Sequence, residues 1–504
     1  MQCVRHRKTT AGQHRKIGDI QMILLILMLA LLVSWGLAFF RASVTGWGLG
    51  AILTLFLFAI VIRPADETIL LCAGIISLFF ILLGIPYVRR QLLSGVFYRR
   101  LRRNLPPLDV PLTEMGLESW EGGLFNGHPD WKTWLSRPKP TLNDQDLSFM
   151  QQAVQPLCQA QQQIPPATAE VEHHLQTHPF AQLCHNEGAG LSTQGYVATV
   201  SAVACCDPHL AQRLEAGPLL QAARHVGEMR ALAQHPEAPV STRAHAYLLE
   251  ATLKMVASAT DHGTQPCVPQ AILLHLSNRL LRQAKNDHPN PLPQQVWLEG
   301  VPATLAEQDI FRQGMLRLHP YLFREISSLQ LKNPEMAPLK FDAALREHLR
   351  YSLSNLARSS FFGLTDGRGM LVPGGPNTLR YYQRITRFSA AYALCCDAMI
   401  WQSTRTARHH PNLSVRLAAL FASLYASAAT LKAFEDNNRP AAELPLLEWA
   451  LQDMLYQQQQ TLLAFLQNLP LGMAWWLRRA IFPLGPHLMP PADALSAQLL
   501  RANA

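Results

Sequence analysis

Residues 378–405 read TLRYYQRITRFSAAYALCCDAMIWQSTR. Apolar side chains recur every three or four positions, and no glycine or proline interrupts the run. That period belongs to a helix with one face turned to a core. The same pattern predicts further helices over 342–362, 414–437, 445–468 and 472–481. Gly363, Gly374-Gly375-Pro376, Pro411 and Pro440 break the chain between them. Upstream, Asn143 and Asp144 are placed to cap a helix carrying Leu147, Phe149, Met150, Val154 and Leu157, and another begins near Thr168. Residues 243–259 and 270–284 are amphipathic, whereas Pro289, Pro291, Pro293 and Pro302 break any helix in 285–303. No stretch alternates apolar and polar residues over several strands, so the expected fold class is all-α.

The chain has 504 residues, 49% hydrophobic and only 16% charged, with a formal charge of +9. An ordinary soluble domain carries roughly 25% charged residues. This balance excludes a mostly disordered chain and leaves room for about two to four domains. Residues 1–103 hold 13 of the basic residues against three acids, Asp19, Asp66 and Glu67, so the remainder is close to neutral. The positive excess sits beside apolar runs, and nucleic acid is not an expected partner.

Three such runs, 22–40, 47–62 and 69–88, follow one another with short polar breaks. A helix needs about 20 residues to cross the hydrocarbon, and these read as two or three transmembrane helices. Arg89, Arg90, Arg99, Arg100, Arg102 and Arg103 follow the third run and hold what comes after them on the cytoplasmic side. The first 21 residues are also basic, and three spans cannot place both ends on one side. Either one run does not span, or the chain begins at Met22. No small-residue cleavage site follows the first run before the second.

Nine scattered cysteines with no CxxC suggest neither a disulfide framework nor a zinc site, and fit a reducing compartment. Trp120, Trp131 and Trp134 lie in a proline-punctuated linker and read as a loop pinned by aromatic packing. His173-His174 and His409-His410 are the metal-ligand candidates. Adjacent helical residues point apart, and no other ligand stands at a matching spacing, so no metal is expected. Asp397, Asp453 and Arg387 are charges on otherwise apolar helices and read as buried, paired groups. There is no phosphate-binding glycine loop and no GxSxG elbow.

Four blocks carry a resemblance to the FadE-type acyl-CoA dehydrogenases, membrane-associated bacterial enzymes of fatty-acid β-oxidation. The first is the apolar N-terminus leading to Trp120-Glu121-Gly122-Gly123-Leu124-Phe125 and Gly127-His128-Pro129-Asp130-Trp131-Lys132. The second is His178-Pro179-Phe180-Ala181 through Glu187-Gly188-Ala189-Gly190-Leu191-Ser192. The third comprises Arg243-Ala244-His245-Ala246-Tyr247, Leu298-Glu299-Gly300 and Leu318-His319-Pro320-Tyr321. The fourth, in the C-terminal part, includes Arg380-Tyr381-Tyr382-Gln383, Arg387-Phe388-Ser389-Ala390, Gln452-Asp453-Met454-Leu455-Tyr456 and Ile481-Phe482-Pro483-Leu484-Gly485.

The resemblance implies FAD as cofactor, acyl-CoA as substrate and Glu299 as the base that removes the α-proton. It also implies a central β-domain between Leu191 and Arg243, where this chain has about 50 residues rich in Ala, His and Leu that read as helix. The flavin-gripping Arg-x-Gln-Phe segment is not recognisable near Val226-Gly227-Glu228-Met229. The expected organisation is a basic extension (1–21), a membrane anchor (22–88), a basic, Trp-rich linker (89–142), N-terminal-like helices (143–215), a remnant of the C-terminal helical domain (216–335) and a FadE-type helical module (336–504). The expected protein is catalytically degenerate and faces the cytoplasm from a bacterial inner membrane. Its expected partners are the membrane, acyl-CoA and a full-length homologue or another β-oxidation protein. The alternative is a non-catalytic scaffold or regulatory subunit.

Overall fold

The computed structural model describes residues 24–25, 28–62, 66–104, 120–162, 173, 190–214, 217–261, 267–287, 314–315, 317–331, 333, 335–406 and 411–502. Among them there is no strand, and the fold is all-α. The helices used below are α1 (Val44–Ile62), α2 (Asp66–Gly84), α3 (Trp120–Phe125), α4 (Trp131–Ser136), α5 (Asp144–Phe149), α6 (Thr193–Cys206), α7 (Pro218–Gln234) and α8 (Val240–Asp261). They continue with α9 (Cys267–Asp287), α10 (Leu322–Leu329), α11 (Met336–Thr365), α12 (Leu379–Thr406), α13 (Pro411–Asp436), α14 (Leu444–Gln467), α15 (Leu471–Ile481) and α16 (Asp493–Ala502). The chain divides into two compact units. The first comprises Met1–Gly116, His319–Phe361 and Asp397–Arg408; the second comprises Leu117–Leu318, Phe362–Cys396 and His409–Ala504.

In the first unit an apolar helix over Met28–Phe39 lies against residues 350–361 of α11. Trp35 Nε1 donates to the Ala357 carbonyl at 2.9 Å, Ser354 Oγ donates to the Phe39 carbonyl at 3.0 Å, and Phe39 meets Phe361 edge-on. Further along, Arg89 forms a two-pronged ion pair with Asp342, and Phe97 and Tyr98 pack on Trp401 and Phe341. Leu49, Phe56 and Leu71 in the N-terminal helices, and Phe40 in the turn between the first two, are each more than half exposed.

Among the described residues, one helix is long and apolar enough by length and composition to cross a membrane. It covers Asn412–Asp436, and 89% of its apolar window is buried, so it is the core helix of the second unit. The N-terminal apolar stretches Met28–Phe39, Val44–Leu57 and Leu71–Leu82 are shorter.

α13 is apolar on every face because other helices surround it. Leu417, Phe421, Leu424, Tyr425 and Leu431 are all within 1% of complete burial. Its one buried cation, Lys432, is satisfied by both carboxylate oxygens of Asp436 and by the Arg137 carbonyl, each at 2.9 Å. The tryptophans of the expected linker do pin it, but on short helices rather than on an irregular loop. Trp120 stacks on Trp134 at 3.8 Å, while the indole N–H groups of Trp131 and Trp134 donate to Thr386 Oγ1 and the Ala428 carbonyl. Aspartate 130 caps α4 by accepting from the backbone of Lys132 and Thr133. The expected cap at Asn143 is a full capping box with Asp146.

Boundaries of the later helices fall close to the expected ones, with two instructive departures. Pro411 opens α13 rather than only ending what precedes it; at the first helical position its missing N–H costs nothing. α11 begins at Met336, before the expected 342, because Asn333 accepts from the backbone of Glu335 and Met336 and supplies a start.

One expectation is corrected. Cys158 and Cys206 form a disulfide, with Cα atoms 5.7 Å apart. Their separation of 48 residues gave no pattern, and packing of the segment after α5 against α6 brings them together.

Candidate functional site

A buried cluster of titratable groups in the first unit is built from three separated pieces of chain. His319 ends the segment before α10, Glu325 lies on α10, His348 and Asn355 lie on α11, and Asp397 lies on α12. All five are at most 4% exposed. Spacing explains the placement on α11: His348 and Asn355 are seven residues apart, two turns along one face. The sequence placed Asp397 as a charge on an apolar helix and His319 within a motif, but the 78 residues between them hid the pairing.

The network assigns the protons. Nδ1 of His319 accepts from the backbone N–H of Leu322 at 3.0 Å and faces that of Tyr321 at 3.3 Å, so it carries no proton. The proton is therefore on Nε2, which donates to Asp397 Oδ1 at 3.1 Å. Burial pulls the His319 pKa down, and the ring is neutral. His348 differs. Nδ1 faces Glu325 Oε1 at 2.8 Å and Nε2 faces Asp397 Oδ1 at 3.4 Å, so both nitrogens must donate. Burial opposes the charged ring, but the two facing carboxylates prevail and hold it up at about 10. Burial likewise raises Asp397, while the hydrogen bonds from His319 and His348 and the His348 charge bring it down to about 2. Asn355 Nδ2 donates to its other oxygen at 3.1 Å. The Trp401 ring stacks near His348, 5.5 Å between centroids, a favourable neighbour for a cation.

His319, His348 and Asp397 each offer a ligand atom within 4.8 Å of the others, a spacing a metal ion accepts. The hydrogen bonds argue otherwise. A metal on His319 Nε2 requires the proton on Nδ1, where two backbone N–H groups already point. A metal on His348 Nε2 would displace the proton that the adjoining carboxylates hold there. The arrangement fits a fixed buried imidazolium, not a metal centre. With a proton held to about 10 and no exposed member, it is also unsuited to general acid–base work near neutrality.

Glu299, the expected base, lies outside the described residues, as do His174, His409 and His410; His173 is exposed. Arg387 and Asp453 are paired. Asp453 accepts from His245 Nε2 at 2.8 Å, and Arg387 donates to Asp366 at 2.5 Å. Where the resemblance implies a β-domain, α6, α7 and α8 stand instead. A Cβ on Gly227 of α7 would strike the Ser201 carbonyl and Ala204 of α6, so the two backbones touch. Beside it Glu228 is held by both Arg224 and Lys285 at the α7–α9 contact, and His225 hydrogen-bonds Ser277 of α9 at 3.2 Å. Burial first, then Arg224, Lys285 and Arg282, push His225 down to about 3. These groups satisfy one another, and helices in backbone contact leave no cradle for an isoalloxazine. The described residues of 190–261 do not fit a flavin.

Residues 316–503 match the family model of the acyl-CoA dehydrogenase C-terminal domain, bacterial type. The match supports the acyl-CoA dehydrogenase family and spans the region from α10 to α16. It contains His319, Glu325, His348, Asn355 and Asp397. No solved structure matches the chain.

Proposed function

We propose that this chain is a membrane-anchored, FadE-type member of the acyl-CoA dehydrogenase family of fatty-acid β-oxidation, shortened and catalytically degenerate. The observation that carries the reading is the contrast between its two regions. The described residues of the matched region, 316–503, form the helices α10 to α16. The region where the family has its flavin-contacting β-domain is a closed stack of helices. FAD is the cofactor of the family. If Glu299 retained the family role, Glu299→Gln would abolish acyl-CoA dehydrogenation by the purified protein. Degeneracy predicts no turnover in either form.

The C-terminal helices, which carry the family match, favour a binding role, so a scaffold or regulatory subunit of β-oxidation is the second reading. Its test is co-purification of the tagged chain with a tagged full-length acyl-CoA dehydrogenase from the same membranes. Recovery of both supports the scaffold, and recovery of neither contradicts it.

The membrane anchor rests on the exposed apolar residues of 28–62 and 71–85 and on the basic run after them. On this reading the helical units lie at the cytoplasmic face of a bacterial inner membrane. In that compartment thiol–disulfide exchange acts to open the Cys158–Cys206 bond.

A further inference from the structure

In the second unit a single carboxylate is surrounded by cations. Asp366 follows the last turn of α11 with its backbone in the left-handed region, φ +50°. A residue without glycine's freedom is held there only by its surroundings. On successive turns of α12, Arg380 donates to its Oδ2 at 2.5 Å, Arg387 donates to its Oδ1 at 2.5 Å, and Arg384 Nε stands 3.5 Å from Oδ2. His487, from the loop after α15, places Nε2 3.3 Å from Oδ1. Arg380 also donates to Gln383 Oε1. Gly367 meets the Gln383 carbonyl so closely that a Cβ there would sit 2.7 Å from it, which fixes the turn against α12.

The charge does not balance. Three guanidinium groups share one carboxylate, an excess of two before His487 is counted, and Arg368 adds its field to Arg380. Arg387 is only 3% exposed. Its Nε and that of Arg384 are buried with no hydrogen-bond acceptor. The cluster is not sealed: Arg380, Arg384 and His487 are 30%, 27% and 42% exposed at their side chains. Phe482, beside Arg387 at 5.9 Å, lines a neighbouring cleft with Trp475, Arg478, Arg479, Pro483 and Gly485. That cleft carries two further cations, Arg478 and Arg479.

A partly buried group of like charges with unfilled donors is stabilised by an anion that accepts several hydrogen bonds at once. Guanidinium forks suit the tetrahedral oxygens of phosphate. We infer that the partly exposed cluster of Arg380, Arg384, Arg387 and His487 around Asp366 binds a phosphate group, carried by a lipid headgroup or by a soluble phosphate ester. This goes beyond the proposed family role and does not depend on it.

The test is calorimetric titration of the detergent-purified full chain with inorganic phosphate at constant ionic strength, and separately with mixed micelles containing phosphatidylglycerol. The variants are Arg380→Gln/Arg384→Gln, at the exposed rim, and Arg439→Gln as a control, whose ion pair with Glu435 lies elsewhere. Saturable binding of either probe that weakens at least about tenfold in the double variant, but not in the control, supports the site. Micelle binding that inorganic phosphate displaces assigns the headgroup; phosphate binding without micelle binding assigns a soluble ester. No saturable binding of either probe by the wild-type chain overturns the inference, whatever the variants do. Equal affinity in the wild type and a helical double variant overturns it as well.

Discussion

Replacing His348 with glutamine removes the cation that, among the described residues, pairs with both Glu325 and Asp397, each buried. Glutamine can still donate to one of them, but two carboxylates then face each other in the core with no compensating charge. Breaking a buried pair in this way costs about 3–5 kcal/mol. For a unit of this size that lowers the melting midpoint by about 6–20 °C.

The pH dependence gives a sharper signature. The His348 pKa rises from 6.5 unfolded to about 10 folded. Its contribution is therefore fully present below pH 6.5 and is lost as pH rises through 10. Wild-type protein should lose stability steadily between those values, and His348→Gln should lack that slope. Circular dichroism melts of both proteins in detergent, at pH 6.5, 8 and 9.5, measure it. Adding Glu325→Gln to the variant should recover part of the loss, with a coupling of about 0.5–3 kcal/mol. A variant that melts with the wild type at pH 6.5, or keeps the same alkaline slope, would refute the buried imidazolium.

Other outcomes follow from single contacts. Trp134→Ala empties a site of zero exposure, stacked on Trp120, and should cost about 3–5 kcal/mol in chemical denaturation. Gly227→Ala forces α7 off the Ser201 carbonyl of α6 and should cost about 1–3 kcal/mol; an unchanged midpoint would mean the helices are not in contact. Below pH 6.5, His225 works against the fold: its pKa of about 3 means its contribution is present above 6.5 and lost as pH falls towards 3. His225→Asn should therefore flatten the acid limb of the stability curve. Alkylation of intact cells with a permeant maleimide before lysis should label both Cys158 and Cys206. Protection of the pair until reduction would contradict the cytoplasmic placement.

The helices were legible because their signal is local. The apolar period in 378–405 and 414–437, and the cap at Asn143, need no knowledge of distant residues. Pairings were not legible. Asp397, Asp453 and Arg387 stood out as charges on apolar helices, yet their partners His319, His348, His245 and Asp366 are separated from them by 21 to 208 residues. The disulfide failed for the same reason. Asp366 and His487 carried no motif at all; only the packing of the turn after α11 and the loop after α15 against α12 gives them meaning. The helical character of the stretch between Leu191 and Arg243 was visible in its Ala- and Leu-rich sequence, and α6 to α8 occupy it. Glu299 was legible only through resemblance, and the described residues do not include it.

On the proposed reading, a stack of helices stands where the acyl-CoA dehydrogenase family has its flavin-contacting domain. Flavin content of the detergent-purified full chain, read by visible absorbance and by cofactor released on denaturation, tests it most directly. A well-folded helical spectrum with no flavin is the expected result. Stoichiometric FAD would contradict it and would require a flavin cradle outside the helices described between 190 and 261.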